Sequence, residues 1–99
     1  MAQKVTWTPR SVAHINRIHD YIAEDSAIYA NRFIKDLVLH TEKLLQNHPQ
    51  SGRLVPEFGN TPLKALREII FKGYRIIYHP DTLYILSVIN GRMDMAKNF

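Results

Sequence analysis

Two runs rich in β-branched and aromatic residues, LREIIF at 66–71 and YRIIYH at 74–79, meet at Lys72-Gly73, and this junction narrows the possible folds most. A two-residue connection in which glycine supplies a positive φ closes a β-hairpin. That turn sets residue 71 against 74, 69 against 76 and 67 against 78. Alternation then places Arg67, Ile69, Phe71, Tyr74, Ile76 and Tyr78 on one face, and Leu66, Glu68, Ile70, Arg75, Ile77 and His79 on the other. Asp81-Thr82 reads as a second tight turn. Continued alternation adds Ile85, Ser87 and Ile89 to the first face, and Tyr84, Leu86 and Val88 to the second.

The N-terminal half supplies cover for one of these faces. Residues 4–7 form a short run suited to an opening strand. Thr8 before Pro9 is a helix entrance, because Thr accepts from free N–H groups and Pro loses no bond at the first helical position. Val12, Ile15, Ile18 and Ile22 recur at helical spacing, leaving His14, Arg17 and Asp20 on a solvated face. Asp25-Ser26 breaks the helix and caps a second one. There Ala30, Phe33, Ile34, Leu37, Val38, Thr41, Leu44 and Leu45 trace a longer stripe, which His48-Pro49 stops. The two helices form an antiparallel hairpin whose stripes pack on Ile69, Phe71, Tyr74, Ile76, Ile85 and Ile89. The expected fold is α+β in the order β-α-α-β-β-β: an N-terminal strand and a two-helix hairpin on one face of a small, mainly antiparallel sheet. The 99 residues fit one domain, 1–99.

Residues 50–63, QSGRLVPEFGNTPL, form the one long irregular stretch and carry Arg53 and Glu57. Loops of this length are often functional. The tail after Asn90-Gly91 shows no periodicity and reads as a frayed end or a final turn.

Several chemistries drop out. The chain has no cysteine, its five histidines lack metal-ligand spacing, and no phosphate loop or nucleophile elbow is present. Neither a metal nor a cofactor is expected. The N-terminus lacks the apolar run of a signal peptide and no stretch is long enough to span a bilayer, so the expected setting is the cytoplasm, away from membranes. Thirteen Lys and Arg against nine Asp and Glu give a formal charge of +4. Most of the surplus lies in residues 51–99, which favours an acidic partner.

The second sheet face gathers Glu68, Arg75, His79 and Tyr84, with Arg92 following the parity of Arg75 if the strand runs past Gly91. Two readings compete. Glu68 and Arg75 are diagonal neighbours, which suits an ordinary cross-strand ion pair. Left uncovered by the helices, the same face would be a docking surface centred on Arg75. A metal-free phosphodiester chemistry also stays open, with arginines offsetting developing charge while Glu57, His79 or Tyr84 moves protons.

Ser51-Gly52-Arg53, Val55-Pro56-Glu57, Leu66-Arg67-Glu68 and Tyr74-Arg75-Ile76-Ile77-Tyr78, followed by a strand ending in NGRMD, occur in an order that resembles the ParE/RelE superfamily of type II toxin–antitoxin toxins, and more the ParE branch. The resemblance spans nearly the whole chain. It implies a toxin neutralised by a cognate antitoxin whose acidic C-terminal segment wraps it, with operator DNA bound only through the antitoxin. ParE-like members poison DNA gyrase without being enzymes. RelE-like members cleave mRNA on the ribosome, and Glu57, Arg75 and Arg92 would then be the catalytic set. The tail RMDMAKNF has no counterpart of the terminal His-Tyr or Tyr group of those nucleases, so the resemblance favours gyrase. Under that reading Arg53, Arg67, Glu68, Arg75, His79, Tyr84 and Arg92 are the target- or partner-binding residues. A third alternative is a non-toxic module that only binds an antitoxin.

Overall fold

The computed structural model describes residues 3–99; Met1 and Ala2 lie outside the described residues. Strand β1 (Thr6–Trp7) leads into helices α1 (Pro9–Ala23) and α2 (Ala27–Asn47). A two-residue strand β2 (Arg53–Leu54) and a 3₁₀ turn at Pro56–Phe58 follow. Then come β3 (Arg67–Phe71), β4 (Tyr74–Tyr78), β5 (Tyr84–Asn90) and a short helix α3 (Met95–Asn98). The strands form one mixed sheet in the order β1-β5-β4-β3-β2, parallel only between β1 and β5.

Local chemistry sets the helix ends as the sequence implies. Thr8 Oγ1 accepts from the Ser11 N–H at 3.2 Å, Pro9 takes the first helical position, and Ser26 caps α2 by accepting from the Tyr29 N–H. Thr8 also donates its hydroxyl proton to the Ile85 carbonyl at 2.6 Å, so one side chain both starts α1 and ties it to β5. The α2 stripe packs as expected, with Ala30, Phe33, Leu37, Thr41 and Leu45 buried. In α1 the buried position next to Thr8 belongs to Ser11, whose hydroxyl donates to the Thr8 carbonyl, while Val12 is exposed. This corrects the expectation that Val12 faces the core. A serine satisfied by the preceding turn needs no solvent, and here it faces inward in place of the valine.

Lys72 and Gly73 both take positive φ, 47° and 86°, and the β3–β4 pairing is the one the turn dictates: Phe71 with Tyr74, Ile69 with Ile76, Arg67 with Tyr78. The β4–β5 pairing departs from simple alternation. Tyr78 pairs with Ile85, but Ile77 pairs with Ser87 and Ile76 with Val88, leaving Leu86 as an extra residue in a β-bulge. The parity of β5 therefore changes along its length. Ile85 and Val88 face the helical core, whereas Ser87 and Ile89 face the other side. The expected placements of Ser87, Ile89 and Val88 are thus reversed.

The sheet has a core on each face. Phe33, Leu37, Leu45, Ile69, Ile76, Tyr78, Ile85 and Val88 fill the helical side. On the other, Val55, Phe58, Leu66 and Met95 close over Ile77 and Ile89, with Phe99 packed at the margin. The Phe58 and Phe99 rings meet edge to face at 5.2 Å between centroids. The expectation of an open second face is overturned, because the irregular loop and the tail carry enough apolar area to cover it. Each large side chain so buried contributes roughly 1.5–3 kcal/mol.

Candidate functional site

The expected site residues divide into a buried knot and a scattered remainder. β3 and β4 place Glu68 and Arg75 as diagonal neighbours beneath the loop, and the loop delivers Glu57 from the 3₁₀ turn. Arg75 Nε donates to Glu68 Oε1 at 2.6 Å, and its two terminal nitrogens donate to the two Glu57 oxygens, each at 2.7 Å. Arg53, paired with Glu68 across β2 and β3, donates Nε to the remaining Glu68 oxygen at 2.7 Å. The result is a chain of charges in which every carboxylate oxygen has a guanidinium partner. Glu68 has no exposed side-chain surface and Arg75 only 10%, while the outer members Arg53 and Glu57 reach solvent.

This geometry fixes the protonation states. The bidentate hydrogen bonding of Arg75 holds the Glu57 carboxyl down to about 2, and the same two carboxylates push the Arg75 guanidinium further up from an already high value. Glu57 and Arg75 both stay ionised at physiological pH. The knot cannot offer a free proton acceptor, and its central arginine is enclosed rather than presented to a macromolecule.

The other expected residues stand apart from it. Arg67 donates to the Gly52 carbonyl at 2.6 Å and more weakly to Gln50, bracing the start of β2. His79 lies in the β4–β5 turn, where its Nδ1 accepts from the Asp81 N–H. Tyr84 is exposed at the beginning of β5. Among the described residues, neither side chain makes a hydrogen bond or ion pair to the knot. Arg92 does not continue the parity of Arg75, because β5 ends at Asn90 and residues 91–92 turn away. Its side chain is exposed.

Two positions that periodicity did not reveal hold this region together. Tyr78 is fully buried; its hydroxyl donates to the Pro49 carbonyl at 2.8 Å and accepts from the Gly52 N–H at 3.0 Å. Burial pushes its phenol up from the ordinary value. Gly52 sits so close to Tyr78 and to the Glu68 carbonyl that a Cβ there would lie 2.6–2.7 Å from both. The only sequence signal was the glycine itself. His14, expected on a solvated face, is partly buried, and its Nδ1 accepts from the Val88 N–H at 3.1 Å. It must therefore be neutral, with its proton on Nε2.

Among the described residues no three potential metal ligands come together, and no helix is long and apolar enough to cross a membrane.

Residues 5–95 match the family model described as the ParE toxin of the type II toxin–antitoxin system parDE. No curated protein matches the chain. The fold is similar to a solved chain from the chromosomal ParDE TA system of P. aeruginosa, with a TM-score of 0.68 over 90% of this chain and 96% of that one, at 19% identity. With the family model covering all but the ends of the sequence, the chain belongs to the ParE toxin family of type II toxin–antitoxin systems.

Proposed function

We propose that this ParE-family chain inhibits growth by poisoning DNA gyrase, acting as a binding protein rather than an enzyme, and that a cognate antitoxin neutralises it through an acidic C-terminal segment. Operator DNA is engaged only through that antitoxin.

The observation that carries this reading is the state of Glu57. As the proton acceptor of an mRNA-cleaving site it would need a free oxygen and a value closer to neutral. Both its oxygens are taken by Arg75, and its value near 2 makes it a poor base. Glu57 and Arg75 are better suited to holding the loop of residues 50–66 onto the sheet. Exposed Arg53, Tyr84 and Arg92 are then the members of the expected set with surface free for a target.

A paired assay tests the proposal: purified toxin on gyrase supercoiling, with detection of trapped gyrase–DNA cleavage complexes, and on ribosomes programmed with a defined mRNA. Accumulation of cleavage complexes with intact mRNA is expected. Cuts in the mRNA at the ribosomal A site with gyrase unaffected would overturn it, and harmless expression would reduce the chain to an antitoxin-binding module.

A further inference from the structure

A cavity of about 360 Å³ opens between α1, the end of β5 and the turn leading to α3. Ile18, Tyr21, Tyr74 and Met93 give it apolar and aromatic walls, and Arg17 stands on the α1 side. Its floor is the outer edge of β5. Helix α1 runs beside that edge in the same sense, Thr8 meeting the Ile85 carbonyl and His14 the Val88 N–H. Arg17, nearly one turn beyond His14, therefore comes level with Asn90.

The floor is incompletely paired. β1 covers only Tyr84 and Ile85. Beyond them the register with β4, including the Gly91 N–H donated to the Gly73 carbonyl, turns the backbone groups of Val88 and Asn90 outward. His14 holds the Val88 N–H and the Met93 N–H holds the Asn90 carbonyl. Among the described residues the Val88 carbonyl and the Asn90 N–H have no hydrogen-bond partner.

These two groups define a small ligand. In a parallel ladder, a carbonyl at one residue and an N–H two residues on are bridged by a single residue, through its own nitrogen and its own carbonyl oxygen. A free α-amino acid carries both ends. Its ammonium donates to the Val88 carbonyl, and one carboxylate oxygen accepts from the Asn90 N–H. In that direction the carboxylate falls at the Arg17 end, where a charge-assisted hydrogen bond is within the reach of a guanidinium. Arg10 and Arg17 both act on His14 and no carboxylate offsets them there, so the field along this side of α1 favours an anionic group. The side chain is left to the cavity, whose two tyrosine rings and Met93 thioether suit an aromatic ring.

We propose that this cavity binds a free aromatic α-amino acid, held by the β5 backbone at both ends and by Arg17 at its carboxylate. The site goes beyond the growth-inhibition reading and does not depend on gyrase being the target.

L-Phenylalanine is the probe, titrated into the purified full chain while backbone amide shifts are followed by NMR. The Val88 and Asn90 amides should move, with a dissociation constant on the order of 1 mM, the range open to a ligand of about twelve non-hydrogen atoms. Hydrocinnamate lacks the ammonium and phenethylamine lacks the carboxylate, and each should bind about tenfold more weakly. Arg17→Ala should weaken L-phenylalanine about fivefold or more and leave phenethylamine unchanged.

Amides at Val88 and Asn90 that stay still at about 10 mM L-phenylalanine overturn the proposal. Equal binding of all three compounds overturns it too, because an apolar cavity alone would explain that result. If Arg17→Ala does not fold, the three-compound series on the wild-type chain decides.

Discussion

Arg75 Nε donates to a Glu68 carboxylate that has no exposed side-chain surface, at 2.6 Å, between the sheet and the loop that covers it. A buried ion is tolerable only while its partners remain. Glu68→Gln keeps the shape and removes the charge, leaving Arg75 with Glu57 alone. The expected loss is about 3 kcal/mol, within the range for breaking one side of a buried pair. Arg53→Ala, whose side chain is mostly solvated, should cost no more than about 1 kcal/mol. Urea unfolding of the two variants measures the contrast, and equal losses would show that Glu68 is not the centre of the knot.

Acid stability should report on Glu57. Its folded value of about 2 lies below the ordinary 4.5, so the unfolded chain binds the proton more readily. The contribution is complete above pH 4.5 and disappears as pH falls through about 2. A series of melting temperatures across this window should fall less steeply for Glu57→Gln than for wild type. Parallel curves would mean that the exposed half of the pair contributes nothing to folding.

His14 should titrate in a different window. Burial, followed by Arg17 and Arg10, lowers its value from 6.5, so the unfolded state takes up the proton first and stability falls as pH drops below 6.5. His14→Ala would abolish that slope and leave the Val88 N–H unpaired, at a cost of about 1–2 kcal/mol near neutral pH. NMR titration of the imidazole together with the Val88 amide shift checks both parts.

The two glycines of the loop should differ in their tolerance of alanine. At Gly52 the new methyl group would meet backbone and a doubly hydrogen-bonded Tyr78 ring, neither free to withdraw, so a loss of about 2 kcal/mol or more is expected. At Gly59 the nearest atom is 3.7 Å away and φ is −56°, so Gly59→Ala should stay within about 0.5 kcal/mol of wild type. Thermal melts of the pair decide it.

The hairpin was legible in the sequence because Lys72-Gly73 permits few turn geometries and the flanking runs alternate without interruption. The caps at Thr8 and Ser26 were legible for the same local reason. Alternation failed at Leu86, where one unpaired residue changes the facing of all that follow it, and nothing in YILSVIN announces a bulge. The covered second face was hidden by distance. Val55, Phe58, Met95 and Phe99 lie in segments without periodicity, and only the fold brings them over Ile77 and Ile89. Glu57 and Arg75 were both singled out, but their contact joins positions 18 apart through a loop whose path no local rule prescribes.

The knot of Arg53, Glu57, Glu68 and Arg75 also governs how the molecule looks from afar. Two cations and two anions cancel within it, so the whole formal surplus of +4 resides on other side chains. A distant acidic partner senses those side chains and is nearly blind to the knot. Tuning the speed of encounter and tuning the robustness of the fold are therefore tasks for two different sets of residues, and either can change while the other stays put.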